Sequence, residues 1–193
     1  MRRERSISPD YFEALYRDHG DPWHFETSAY ERAKYDHTIA SLPQEHFRDA
    51  LEVGCANGVL TQRLAPRCDQ LLSVDVSPTA LAAARKRCAH LPQVTFEERR
   101  LPQDLPAGPF ELVLLSEVIY YWDSDDLALM AKGLKTMIPS GGYVLLVHWT
   151  GDTDYPKSGD DAVAELFGYV SSDIYVVQEA RSEQYRLDLW RRI

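Results

Sequence analysis

Cysteine is scarce in this chain of 193 residues: Cys55, Cys68 and Cys88 stand apart, none in C-x-x-C spacing. That argues against a disulfide framework or a thiolate zinc site, and the six histidines also lack zinc-ligand spacing, so no metal is expected. The thiols are expected to be reduced, Cys68 and Cys88 as buried packing and Cys55 as a small residue in a turn. Long apolar runs are missing as well. The basic opening Arg2-Arg3-Glu4-Arg5 leads into a polar stretch holding Asp10, Glu13, Arg17 and Asp18, where a signal peptide needs an apolar core. A cytoplasmic protein without a membrane partner is expected. Positive charge is in deficit: 21 Lys and Arg against 30 Asp and Glu leave a net charge of −9, which repels a phosphate backbone. The basic clusters Arg85-Lys86-Arg87 and Arg99-Arg100 are short and separated and read as solvated faces, so no nucleic-acid partner is expected. With 45% hydrophobic and 26% charged residues, the chain fits one globular domain.

What is present centres on Leu51-Glu52-Val53-Gly54-Cys55-Ala56-Asn57-Gly58. An apolar run of strand type, Ala50 to Val53, delivers the chain to Gly54, and Gly54 and Gly58 let the backbone turn tightly and approach a ligand. A second apolar run, Leu71-Leu72-Ser73-Val74, ends in Asp75, 21 residues after Gly54. At that spacing a strand-end carboxylate can accept both hydroxyls of a ribose. The glycines that are missing narrow the ligand. A dinucleotide fingerprint needs glycine at its first, third and sixth positions, which here are Gly54, Ala56 and Val59, so NAD and a nucleotide-dependent oxidoreductase are disfavoured. No Lys-Ser or Lys-Thr pair follows the turn, which excludes a P-loop. An adenosyl cofactor without a phosphate chain remains, and S-adenosylmethionine, with its zwitterion, sulfonium and ribose, suits these groups.

The stretch from Ala50 to Gly58, continued by Leu60-Thr61-Gln62-Arg63-Leu64-Ala65-Pro66-Arg67-Cys68, resembles the class I S-adenosylmethionine methyltransferases, and among them the rhizobial nodulation N-methyltransferase group. The resemblance reaches back to Asp21-Pro22-Trp23 and forward through Val74-Asp75-Val76-Ser77-Pro78. It covers about Asp21 to Gly142 and thins beyond. It implies methyl transfer from S-adenosylmethionine to a small-molecule acceptor, with S-adenosylhomocysteine as product. The rhizobial relatives methylate an amino sugar on a chitooligosaccharide, so the implied acceptor is the amine of an amino sugar, a glycosylated metabolite or a natural-product intermediate. O-methylation of a small molecule and a non-catalytic adenosyl-binding module are the alternatives.

Along the chain, Ser8-Pro9 opens a helix that Gly20 ends, and a second helix runs from about Ser28 to Leu42. From there strands and helices alternate: strand to Val53, helix Gly58 to Ala65, strand Leu71 to Asp75, helix Pro78 to about His90, strand Val94 to Glu97. A fourth strand spans Phe110 to Glu117, a helix starts near Ser124, and Pro139-Ser140-Gly141-Gly142 turns it into a strand, Tyr143 to Val147. After a polar loop, Gly151 to Asp160, come a short helix and two alternating strands, Ile174 to Val177 and Tyr185 to Trp190. Such alternation predicts parallel βαβ units. With the resemblance, the expectation is an α/β, Rossmann-like class I methyltransferase fold: a mostly parallel seven-stranded sheet, helices on both faces and a C-terminal antiparallel hairpin. One domain, 1–193, is expected to comprise an N-terminal helical lid (1–46), a cofactor-binding core (47–150) and a substrate-side loop, helix and hairpin (151–193).

Candidate residues follow. In the lid, Trp23 and Tyr30 are candidates to stack on the cofactor and Lys34 to reach its carboxylate, against core packing as the plainer role. Glu52 and Gly54 are expected at the methionine part and Asp75 at the ribose, with Asn57 and Val76 as further cofactor contacts. The loop from Arg99 to Pro106 is where resembling enzymes present an acid to adenine. Arg100 and Leu101 stand there instead, which leaves Leu101 packing and backbone amides. At the exit of the fourth strand, Ser116 is expected on the cofactor side, while Glu117 and Tyr120 are candidate catalytic residues. Carboxylate and aromatic groups there can complement positive charge. His148, leaving the next strand, is a third catalytic candidate. Glu117, Tyr120, Tyr121, His148 and Tyr155 are expected to bound the acceptor. A neutral amine needs no strong base, whereas a hydroxyl acceptor makes proton removal by His148 or Glu117 matter more.

Overall fold

Hydroxyl and carboxylate side chains open most of the helices in the computed structural model, which describes residues 2–193. Two compact units emerge, Ser8–Arg100 and residues 2–7 with Leu101–Ile193.

In the Ser8–Arg100 unit, α1 (Pro9–His19) has proline in its first turn and stops at Gly20, whose φ of 66° suits glycine. Ser8 occupies the N-cap position but makes no side-chain cap bond. The second helix, α2 (Ala29–Ala40), is capped by Ser28, whose hydroxyl accepts the Glu31 N–H at 3.2 Å. Then come β1 (Phe47–Val53), α3 (Val59–Leu64) with a 3-10 turn, β2 (Cys68–Asp75), α4 (Pro78–Arg87) and β3 (Val94–Glu98). Ser77 caps α4 by accepting the Ala80 N–H at 3.0 Å. Strand β1 pairs with β2 and β2 with β3, both parallel, in a register that sets Val53 beside Val74. Phe47, Leu51, Leu64, Leu71 and Leu81 are fully buried and form the centre of this unit.

The second unit contains β4 (Leu112–Ser116), a 3-10 turn (Ile119–Tyr121), α5 (Ser124–Met137), β5 (Tyr143–Trp149), α6 (Gly159–Val170), β6 (Ile174–Arg181) and β7 (Tyr185–Arg192). Asp123 caps α5 and Ser158 caps α6. Leu112 to Leu115 and Leu145 to Val147 are wholly buried, as central parallel strands require. Strand β4 pairs with β5 in parallel, while β7 lies antiparallel to both β5 and β6. The hairpin is longer than its apolar core predicts: β6 continues through Gln178, Glu179 and Ala180 after a bulge at Val176/Gln178.

The seven strands follow the order β3-β2-β1-β4-β5-β7-β6, a mostly parallel sheet closed by the antiparallel hairpin, as expected from the sequence. Its α/β composition puts the cofactor-motif residues and the fourth-strand residues at carboxyl ends of parallel strands, where open sheets of this kind bind ligands.

Candidate active site

After β1, three of five residues take left-handed backbone conformations: Gly54 (φ 75°), Ala56 (φ 52°) and Gly58 (φ 81°). The two glycines do so freely, whereas Ala56 is strained by roughly 1 kcal/mol. Hydrogen bonds hold it there. The Gly54 and Cys55 N–H groups both donate to the Val74 carbonyl, at 2.8 and 3.0 Å, and the Ala56 N–H donates to Asp75 Oδ2 at 2.9 Å. Asp75 Oδ1 accepts the Ser77 N–H, also at 2.9 Å. The expected ribose acid is therefore also a clamp between the glycine turn and the start of α4. Burial pushes its carboxyl above its ordinary range, opposed by N–H bonds from Ser77, Ala56 and Val76. At Gly58 an added Cβ would come within 2.9 Å of the Ala84 Cα, so the turn rests directly on α4 and glycine is required.

Glu52 lies beneath this turn and is 1% exposed. Its Oε2 accepts from Thr61 Oγ1 at 2.6 Å and Ser73 Oγ at 2.8 Å, and burial raises its pKa from 4.5 to about 7. Sealed from solvent and engaged by two hydroxyls, the carboxyl supports the turn from inside. Asn57 is buried too. Its carbonyl accepts from Arg87 Nε at 2.9 Å, its Nδ2 lies 3.5 Å from Glu26 Oε1, and its Oδ1 has no protein partner.

Lys34 is buried with its Nζ 3.0 Å from Glu31 Oε1 and 5.1 Å from the centre of the Tyr30 ring. It brings a charge that Glu31 already neutralises. Trp23 packs against Tyr16 and Phe25, ring centres 5.6 Å away in each case, and lines a cleft of about 440 Å³ with Tyr11, Leu15, His19, Asp21 and His24. Sequence reasoning missed Glu13. From α1 it accepts from Ser77 Oγ at 2.6 Å, Thr79 Oγ1 at 2.6 Å and the Thr79 N–H at 3.2 Å. The hydroxyls flanking Pro78 advertise a carboxylate site at the helix N-terminus, but nothing local names a partner 64 residues upstream.

In the second unit, Ser116 ends β4 and Glu117 follows with a φ of 57°, a left-handed position that costs a side-chain-bearing residue roughly 1 kcal/mol. The Glu117 N–H donates to the Val147 carbonyl at 2.8 Å, and its Oε2 accepts from Tyr120 Oη at 2.7 Å and the Trp149 N–H at 2.9 Å. Tyr120, Tyr121 and Tyr155 form one aromatic cluster: Tyr120 and Tyr155 are stacked with centroids 5.5 Å apart, and Tyr121 meets each edge-on at 4.6 Å. Burial first, and then the Glu117 charge, pushes the Tyr120 hydroxyl well above its ordinary pKa.

Sequence reasoning set His148 on the substrate side as a proton acceptor. It is 0% exposed, and its Nε2 accepts the Ile119 N–H at 3.3 Å, so the neutral ring carries its proton on Nδ1. That bond makes His148 a brace for the turn bearing Tyr120. Leu101 is buried and Val76 half-buried. A further unforeseen element is the strand of chain at 2–7. The Arg3 N–H donates to the Asp154 carbonyl and the Ile7 N–H to the Tyr121 carbonyl, both at 2.9 Å, which straps these residues to the loop carrying Tyr155. Among the described residues, no group of three His, Cys, Asp or Glu is placed to hold a metal ion.

A profile of the nodulation protein S (NodS) family matches residues 12–147. Nodulation protein S of Azorhizobium caulinodans is 31% identical over 192 residues, covering 96% of this chain and 87% of its own length. A crystal structure described as a methyltransferase from Pseudomonas syringae is 35% identical and covers 86% of this chain and 100% of its own, with a TM-score of 0.74. The N-methyltransferase NodS of Bradyrhizobium japonicum, solved with S-adenosylhomocysteine, is similar in fold: 23% identity, 94% of this chain, 97% of its own and a TM-score of 0.79. The chain spans 49% to 87% of the length of the nodulation relatives it matches. The profile covers more than half of the chain, and a relative 31% identical is covered over 87% of its length, so the chain belongs to the nodulation protein S family of methyltransferases.

Proposed function

We propose that this protein transfers a methyl group from S-adenosylmethionine to the amine of a small molecule, an amino sugar or a related glycosylated metabolite, acting in the cytoplasm as one catalytic domain. The observation that carries the amine acceptor is Glu117, an acid held on strained backbone beside Tyr120 at the end of β4. Strain of this kind gathers where geometry serves chemistry. The buried Asn57 Oδ1, an acceptor without a protein donor in the glycine turn, fits an ammonium or hydroxyl of the donor molecule.

When bound, S-adenosylmethionine supplies a methyl carbon already activated by its sulfonium. The chain has to bind, orient and deprotonate. We assign ribose recognition to Asp75 with Val76, the methionine part to Gly54 and Asn57, and adenine packing to Leu101. Ser116, Trp23, Tyr30 and the neutralised Lys34 complete the cofactor set. Glu117 takes the proton from the acceptor ammonium, Tyr120 fixes the carboxylate that takes it, and Tyr121 and Tyr155 wall the acceptor. Because the lone pair of a neutral amine attacks a cationic donor, a carboxylate beside the acceptor both frees that lone pair and offsets positive charge.

The test is methyl-labelled S-adenosylmethionine with an N-acetylglucosamine tetramer carrying one free amine, read by mass spectrometry. A single methyl on nitrogen is expected, and none on the fully acetylated tetramer. Methyl on a hydroxyl of either oligomer would replace the amine with an oxygen acceptor.

A further inference from the structure

We infer that Tyr120, Tyr121 and Tyr155 form a proton path from Glu117 to the loop at 150–158, an inference that rests on the amine acceptor proposed above. Tyr120 Oη donates to Glu117 Oε2 at 2.7 Å, and Tyr121 packs edge-on against both Tyr120 and Tyr155, centroids 4.6 Å apart in each pair, which gathers the three phenols into one contiguous group. A phenol accepts and donates at one oxygen and its hydrogen rotates to suit, so three adjacent phenols can relay a hydrogen. Tyr120 is 6% exposed while Tyr121 and Tyr155 are half-buried, and the path therefore runs outward. Packing alone does not explain the oxygens. Phenylalanine offers the same ring contacts without the cost of taking a hydroxyl out of water.

The outer end is held in place. Arg2 Nη1 reaches Thr153 Oγ1 at 3.2 Å and the Tyr155 carbonyl at 3.4 Å, while the Lys157 N–H donates to the Tyr120 carbonyl at 3.3 Å. Besides Glu117 and the two other tyrosines, the titratable ring packed against Tyr120 is His148, centroids 5.5 Å apart, and its Nε2 is occupied by the Ile119 N–H. It offers no competing exit.

The balance is one proton per turnover. The acceptor ammonium gives a proton to Glu117. Its freed lone pair forms the N–C bond as the C–S bond of the sulfonium donor breaks, and that electron pair stays on sulfur. The product leaves as a methylated ammonium with neutral S-adenosylhomocysteine. Glu117 must then shed its proton before the next cycle. The three hydroxyls first rotate to point outward; Tyr120 then takes the proton from Glu117 as its own hydrogen moves to Tyr121, the Tyr121 hydrogen to Tyr155, and the Tyr155 hydrogen to water. The transfer itself leaves Tyr120 donating to Glu117, which is the starting bond.

Tyr155→Phe and Tyr121→Phe keep the rings and cut the path. With the amine-bearing tetramer, each should lower kcat roughly 10- to 100-fold, at or below the low end of general acid–base contributions, and leave the KM for S-adenosylmethionine within twofold. Their kcat in D2O should fall at least twofold further, an isotope effect that wild type lacks while methyl transfer limits it. Calorimetric affinity for S-adenosylhomocysteine should match wild type, which separates a cut path from a misfolded protein. Two variants with unchanged kcat, or with lowered kcat and no added isotope effect, would overturn the path. A wild-type enzyme that transfers nothing to the amine would instead overturn the acceptor on which it rests.

Discussion

Asp75 closes β2 and Glu117 follows β4, and both carboxylates accept hydrogen bonds from a turn, yet their donors differ. Asp75 is gripped by main chain, with Ala56 N–H on one oxygen and Ser77 N–H on the other, both at 2.9 Å. Glu117 Oε2 takes one main-chain donor, Trp149 N–H, and one side-chain hydroxyl, Tyr120 Oη. Main-chain donors cannot leave without unfolding the turn, so Asp75 is fixed as an acceptor. A phenol can rotate and exchange its hydrogen, so Glu117 can change protonation without rearranging its surroundings. The strain is divided likewise: beside Asp75 it falls on Ala56, but at the second carboxylate it falls on Glu117 itself. One acid suits recognition and the other reaction.

The sharpest way to break this contrast is Glu117→Gln, which retains an acceptor for Tyr120 and Trp149 but cannot take a proton. We expect kcat for the amine-bearing tetramer to fall about 100- to 1,000-fold, within the span of general base contributions, with affinity for S-adenosylhomocysteine unchanged. A loss of affinity equal to the loss of rate would make Glu117 a cofactor residue. Asp75→Ala should do the reverse. Removing the shared acceptor frees two main-chain N–H groups as well as the ribose partner, so S-adenosylhomocysteine should bind about 100-fold more weakly, about 2.7 kcal/mol. Calorimetry reads this directly, and unchanged affinity would remove Asp75 from the cofactor assignment.

Glu52 sharpens the contrast from beneath the turn. Its pKa is raised from 4.5 to about 7, so the fold favours the protonated form and loses stability as pH climbs between those values. Full ionisation costs about 3 kcal/mol at about 1.4 kcal/mol per pH step. Glu52→Gln is neutral throughout and gives up part of the hydrogen bonding to Thr61 and Ser73. We expect the variant to be no more stable than wild type at pH 4.5 and more stable by about 2 kcal/mol at pH 8. Thermal melts at the two pH values decide it. A difference that does not grow with pH would mean that Glu52 is ionised in the fold at a normal pKa.

Legibility in the sequence followed the range of the interaction. Strand runs such as Leu112 to Leu115 and the turn at Gly54 and Gly58 are local patterns, and the order of elements, the glycine turn and Asp75 could all be read from them. The second half of β6 could not, since Gln178 to Arg181 carry no apolar alternation and owe their strand to pairing with β7. The burial of His148 was not legible for a related reason: Val144 to His148 are all buried, and a strand covered on both faces leaves no polar alternation to say which way a side chain points. The partners of Glu52, Thr61 and Ser73, lie 9 and 21 residues away, so its enclosure was not legible locally. Glu13 on α4 and residues 2–7 on the Tyr155 loop are contacts between distant segments, with no periodicity to mark either partner.

The smallest effect concerns that strap. Arg3 Nε lies 3.2 Å from Asp154 Oδ2, but the two side chains are 44% and 61% exposed, so solvent and salt screen the pair. Arg3→Ala should cost less than about 0.5 kcal/mol in global stability. The main-chain bond from Arg3 to Asp154 and that from Ile7 to Tyr121 do not depend on the guanidinium and should keep the strap in place. Its local consequence is the informative one: amide hydrogen exchange across 150–158 should quicken modestly, while exchange in β4 and β5 stays at the global limit. A loss of several kcal/mol, or faster exchange spreading into β4, would mean that the exposed ion pair organises the Glu117 turn, and that this acid is fixed by distant chain and not by its own loop.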